Sequence, residues 1–228
     1  MISKRSIAIR CFFLSALSVL YFFASLPEAT AQQSTNDQKS KTKPIVFKPP
    51  PNGVPADRVG AATRDIEQQD GILTLLVPKG GGLTTLQRPP LVWFVGETFG
   101  GQMHAQIARV GVPQNGAMKT SQSRYRKGYY ALDLARSDFV LEPGAIYEWT
   151  VVLSDPQTGQ VNSQVTSYVE LTDGLTIESP EDITALAAEG LWFDALAPFV
   201  ETELSGRVRI DENMAFWELI SSAGLSLP

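Results

Sequence analysis

The sequence predicts a mainly β protein with some α: an immunoglobulin- or fibronectin-like antiparallel β-sandwich followed by a small C-terminal helical module. Three observations carry that expectation. Apolar and polar residues alternate with period two in several short runs between Arg58 and Thr172. The links between those runs are turn chemistry, "PKGGG", "GETFGGQ", "PQNG", "LEPG" and "SDPQTGQ". Helical periodicity and helix-capping residues come only after Asp173. Short strands without intervening helices indicate a sandwich or barrel.

The chain starts with "MISKRSIAIR", basic through Lys4, Arg5 and Arg10, and then runs apolar from Cys11 to Leu26. Ala29 and Ala31 stand in the A-x-A relation, so residues 1–31 read as a secretory signal peptide cleaved after Ala31. The apolar run of about 16 residues spans roughly 24 Å as a helix, short of a hydrocarbon core of about 30 Å. An exported protein, periplasmic or extracellular and without a stable membrane span after cleavage, is the expectation. Cys11 is the one cysteine, so the remaining chain must rely on an ordinary core rather than disulfides. Cleavage also removes three of 19 basic and one of 24 acidic residues, leaving a balance more acidic than the formal −5. That argues against nucleic acid or anionic lipid as a bulk partner.

Residues 32–57, polar and proline-rich, read as a flexible leader. Within them "PIVF" is a candidate for docking, and "KPPP" favours an extended run. Residues 58–173 form the expected sandwich. "ILTLLV" and "LVWFV" are continuous apolar strands, and "YYALDLA" continues the theme. In "IYEWTVVL" Tyr147, Trp149, Val151 and Leu153 share a face; in "VNSQVTSYVEL" Val161, Ser163, Val165, Ser167, Val169 and Leu171 do so. "LEPGAIYEW" has the form of a tyrosine corner, in which a hydroxyl bonds back to upstream backbone. Residues 174–228 form the helical module. Its first helix has Ser179 as expected N-cap and Pro180 at the first position. "LWFDALAPFVETE" is apolar on two sides, with Pro198 expected to kink it or restart a helix there, and "DENMAFWELISSAG" ends at Gly224.

The glycine run in "LLVPKGGGLTTLQRPPLVWFV" is a turn, not a phosphate loop. Lys79 precedes the glycines, and prolines and a second strand follow where a helix would have to start. His104 is the single histidine and alternates with Ala105 and Ile107, which places it on a polar strand face. Triads and multi-histidine metal sites are reduced to one imidazole, so neither a catalytic triad, a metal nor a cofactor is assigned. Asp133, Asp138, Glu142, Glu148 and Glu170 leave a carboxylate-dependent glycan hydrolase as an alternative. Two stretches are candidate binding surfaces for a protein or glycan. One is "SRYRKGYY", through Arg124, Tyr125, Arg126 and Tyr129; the other is the helical face of Trp192, Phe193 and Phe199.

The stretches "GAATRD", "LTLLVPKGGGLTTLQRPPLVWFV", "LEPGAIYEWTVVLSDP", "AAEGLWFDALAPFVE" and "FWELISSAGL" resemble a bacterial, largely cyanobacterial family of exported proteins, domain of unknown function 928. The resemblance runs from Gly60 to Leu225 and implies no activity. It implies cysteines where this chain reads "TRDIEQQD" and "LSDPQ", so any disulfide of the family is absent here. "AAEGLWFDALAPF" is also similar to the middle of a tetratricopeptide unit, although one partial unit cannot form a solenoid. The functional expectation is an exported, non-enzymatic interaction protein of the cell envelope, with a purely structural envelope role as a further alternative.

Overall fold

In the computed structural model, residues 43–59, 71–112, 118–122 (backbone only), 125–173, 177–203 and 206–227 are described. Residues 1–42, which include the expected signal peptide, lie outside them. The elements in chain order are α1 (Pro55–Arg58), β1 (Leu73–Leu75), β2 (Gly82–Thr84), β3 (Pro90–Val95), β4 (Gln102–Arg109), β5 (Met118–Gln122), β6 (Gly128–Asp133), β7 (Ile146–Ser154) and β8 (Val161–Leu171). These are followed by α2 (Ile183–Ala188), α3 (Trp192–Leu196), β9 (Val200–Thr202), β10 (Val208–Ile210) and α4 (Met214–Ser222). The protein is mainly β with a few short helices.

Two sheets share one core. The first has the order β1-β3-β6 and the second β2-β8-β7-β4-β5; a β9–β10 hairpin forms a third, small sheet. All pairings are antiparallel except β2 with β8, which is parallel. The alternation of β7 is realised: Tyr147, Trp149, Val151 and Leu153 are buried while their neighbours Glu148 and Val152 are not. Trp93 of β3 donates its indole N–H to Sδ of Met103 on β4, 3.3 Å away, and so links one sheet to the other. The corner before β7 also forms, with the Glu142 N–H donating to the Tyr147 hydroxyl at 3.0 Å. The β7–β8 turn is held by Asp155, whose Oδ1 accepts from the Gln157 and Thr158 amides at 2.7 and 2.8 Å.

Three parts were left open by the sequence or differ from expectation. First, the sequence does not say whether the helical segment packs on the strands; Leu191, Trp192, Phe193, Leu196, Phe216 and Leu219 belong to the same core as the strands. Residues 42–228 form one compact unit. Second, ordered structure begins inside the expected leader. Ile45 and Phe47 are buried in that core, and α1 packs Ala56 against Tyr168 of β8. Third, the helices are shorter. Asp182, not Ser179, caps α2 by accepting from the Thr184 N–H at 2.9 Å. At Pro198 the chain restarts as a 3-10 turn, Ala197–Phe199, directly after α3, and then leaves as β9. Asn213 caps α4 through the Phe216 N–H.

The glycine run turns the chain, and its three residues are demanded by three neighbours. At Gly80 an added Cβ would lie 2.3 Å from the Val54 side chain; at Gly81 it would lie 2.4 Å from the backbone oxygen of Tyr168. At Gly82 it would lie 2.8 Å from Cβ of Trp192. The run is the point where the α1 segment, β8 and α3 close on one stretch of backbone. The Gly80 carbonyl also accepts the Ala56 N–H at 3.0 Å. Gly81 combines a φ of +100° with a rigid backbone obstacle. Gly81→Ala is therefore expected to destabilise by about 3 kcal/mol or more. Gly159→Ala, at φ +70° with nothing within 4 Å, should lose only about 1–2 kcal/mol. Urea denaturation of the two variants checks this; equal losses would contradict it.

Candidate functional site

The seven residues expected on binding surfaces divide sharply. Trp192 and Phe193 have no exposed surface and Phe199 is 4% exposed, so this helical face is part of the core and not an exposed surface. The Trp192 indole N–H donates to the Leu76 carbonyl at 2.7 Å, and its ring packs edge-on to Phe47 at 5.3 Å. Phe199 packs edge-on to Phe216 of α4. In the basic stretch, Tyr125 is also core: it is 2% exposed and stacks on Phe99. Arg124 lies outside the described residues. Arg126 is exposed, with its backbone held by the Tyr130 hydroxyl, which accepts its N–H at 2.8 Å and donates to its carbonyl at 2.9 Å. Tyr129 is half-buried against Phe94, and its hydroxyl donates to Glu212. Burial first, and then that carboxylate, raise the phenol pKa. Lys127 lies over the Phe94 ring at 5.7 Å. Among the described residues of "SRYRKGYY", Arg126, Lys127 and the edge of Tyr129 lie at the surface.

The carboxylates considered for hydrolysis mostly have partners. Asp133 accepts from the Ala135 N–H and pairs with Arg136; Glu142 pairs with Arg109; Glu148 accepts the Tyr168 hydroxyl at 3.1 Å; Glu170 pairs with Arg58. Burial pushes the Glu170 carboxyl up, opposed by the Arg58 guanidinium. Asp138 is exposed. Among the described residues no three His, Cys, Asp or Glu are grouped so as to hold a metal ion. No helix among them is long and apolar enough to cross a membrane.

The surface that the register assembles is the outer face of the five-stranded sheet. Three rows cross it: His104–Val152–Gln164, Gln106–Thr150–Thr166 and Ala108–Glu148–Tyr168. Strands lie about 4.8 Å apart and same-face residues about 6.6 Å apart along a strand, so these side chains form a regular grid. The Thr150 and Thr166 hydroxyls are 3.0 Å apart. Over the grid lies a hollow of about 450 Å³ lined by Gln106, Glu148, Thr150, Gln164, Thr166 and Tyr168. One end is walled by α1, where Ala56 covers Tyr168 and Arg58 reaches Glu170 through an Nη1–Oε1 bond of 2.8 Å. Period-two alternation set Glu148 and Thr150 opposite the apolar face of β7 and His104 on a polar strand face. It could not foretell that they meet, because register between distant strands is not written in any one of them.

Asp194 of α3 is a functional group that sequence reasoning missed. It is 7% exposed, and its two carboxylate oxygens accept the Thr85 N–H at 3.1 Å each. The Thr85 and Thr84 hydroxyls bond to it as well. Thr84 in turn accepts the Leu86 N–H at 3.0 Å. This carboxylate organises the end of β2. Its pKa stands above the ordinary carboxylate range because burial outweighs those hydrogen bonds. The folded state thus holds the proton more tightly than the unfolded one. That contribution to stability is full below about pH 4 and is lost as pH rises through the folded value. Asp194→Asn sets an amide donor against the Thr85 donors and should cost about 1–3 kcal/mol at pH 7. In melts taken between pH 7 and pH 4, the wild-type advantage over this variant should widen as pH falls. A constant or narrowing gap would contradict the assignment.

Comparison with curated proteins finds no match, and comparison with solved structures finds none. The profile of the family described as Domain of Unknown Function (DUF928) matches residues 59–227. That span holds both sheets, the polar grid, the glycine run and the three helices that follow β8, and on it the chain belongs to the DUF928 family.

Proposed function

We propose that the protein is an exported, non-enzymatic binding protein of the cell envelope, and that it takes a hydroxyl-rich glycan on the outer face of its five-stranded sheet. The observation behind this reading is the polar grid itself. Amide, hydroxyl and carboxylate groups are spread over three adjacent strands above a hollow of about 450 Å³. Hydroxyl-rich ligands are held by many such directional bonds on a preformed surface. The engagement of Asp133, Glu142, Glu148 and Glu170 with other side chains or backbone favours binding over carboxylate-dependent hydrolysis.

The sheet order supports an immunoglobulin-type sandwich as the scaffold. A three-stranded sheet faces a five-stranded one, β2 runs parallel to β8 at the sheet edge, and a tyrosine corner precedes β7. In that scaffold the outer face of the larger sheet is available for recognition, while the inner face is spent on the core. Export rests on the charged, apolar and A-x-A segments of residues 1–31.

Gln106→Arg and Thr166→Arg place long cations on the grid from positions that are only half-buried. Each is expected to lower binding of purified envelope polysaccharide at least tenfold by calorimetry, with thermal stability essentially unchanged. Binding that survives both substitutions would remove the sheet face as the site. Release of reducing ends from the same polysaccharide would replace binding with hydrolysis.

A further inference from the structure

Residues 43–50 form a strap of extended chain laid along the helices. Its side chains alternate: Ile45 and Phe47 are buried at 8% and 6% exposure, while Val46 is 48% exposed and Lys48 is exposed. Main-chain groups hold it. The Ile45 N–H donates to Oε2 of Glu218 at 3.1 Å and the Phe47 N–H to Oγ of Ser222 at 2.9 Å. Two strap residues advance about 6.6 Å and four helical residues about 6 Å, so the strap keeps step with α4, running parallel to it. The Lys48 N–H then donates to the Ala187 carbonyl of α2 at 3.0 Å. Phe47 fills the space against the Trp192 ring. Gly190 leaves room for the strap's exit, since a Cβ there would lie 3.0 Å from the Lys48 carbonyl oxygen and 3.2 Å from the Pro50 nitrogen.

This is how an extended peptide is recognised: backbone bonds supply affinity and pockets take alternate side chains. A second observation separates the strap from its groove. Ala187, Gly190, Trp192, Glu218 and Ser222 lie within the family match at residues 59–227, whereas the strap lies before it. We propose that the groove between α4 and the α2–α3 turn is a peptide-docking site that this chain fills with its own strap. The partner it fits is an extended segment with two large apolar residues at alternate positions, followed by Lys-Pro. The strap competes with that partner in cis, at the high effective concentration of a tethered ligand. This site is independent of the sheet face.

The test cuts the tether while keeping every residue. A protease recognition sequence is inserted between Asn52 and Gly53 in the full chain, and the cut protein is titrated with a fluorescent peptide of residues 43–52. Saturable binding to the cut protein is expected, displacing the strap. The uncut chain should bind at least tenfold more weakly at the same concentrations. A Phe47→Ala peptide should also be at least tenfold weaker on the cut protein. Three results would each overturn the proposal: equal binding to cut and uncut chains, indifference to Phe47→Ala, or a body that unfolds after cutting and is not restored by the peptide. The last would make the strap a core segment rather than a ligand.

Discussion

The structure depends on how α3 is fixed to the link between the first two strands. Trp192 holds the Leu76 carbonyl just after β1, and two residues later Asp194 holds the Thr85 amide just after β2. One helix of five residues thus clamps both ends of the segment that passes from one sheet to the other. Such close approach is possible only because Gly82 offers no side chain to Trp192, and Gly81 none to Tyr168. The indole bond and the bifurcated carboxylate bond are both largely shielded from water, where an unpaired partner costs about 1–3 kcal/mol. Removing a buried aromatic of this size typically costs about 3–5 kcal/mol, a large part of the stability of an ordinary domain.

From that constraint follows the division of surfaces. With α3 and α4 packed into the core formed with β1, β2 and β3, the helices do not cover the Gln106–Thr150–Thr166 row. Among the described residues the short α1 segment packs on the outer face of the five-stranded sheet, at Tyr168 and Glu170. Beside it Gln106, Gln164 and Thr166 of the polar grid keep exposed surface. The same packing creates the groove along α4 in which the strap lies. The proposed glycan surface and the proposed peptide groove are therefore separate products of one arrangement.

Much of the β architecture was legible because half-buried strands write their burial in alternation. Tyr147, Trp149, Val151 and Leu153 read as inward and are inward. The tyrosine corner and the turn at the glycine run were legible from local chemistry for the same reason. What was not legible needed partners distant in sequence. β2 is three residues that begin on the last glycine of the run, and it is a strand because β8 lies beside it. β9 follows a proline at the end of a stretch with helical spacing, and its partner β10 lies beyond that stretch. Trp192, Phe193 and Phe199 showed apolar residues on both sides of a helix, the mark of burial, yet their aromatic character suggested a docking face. Tyr125 was misplaced likewise. Asp194 gave no signal at all, since a buried carboxylate is recognised only by the donors that converge on it.

Native-state hydrogen exchange on the full chain, resolved to single amides, tests this account most directly. If α3 joins strands and helices into one cooperative unit, the Thr85 amide and the Ala195 amide of α3 should exchange only through global unfolding. They should then show the same free energy and denaturant dependence as the paired amides of β7 and β8. Exchange of α3 and Thr85 through a local opening, with the sheets still protected, would contradict it and make the helices an appendage to an independently stable sandwich.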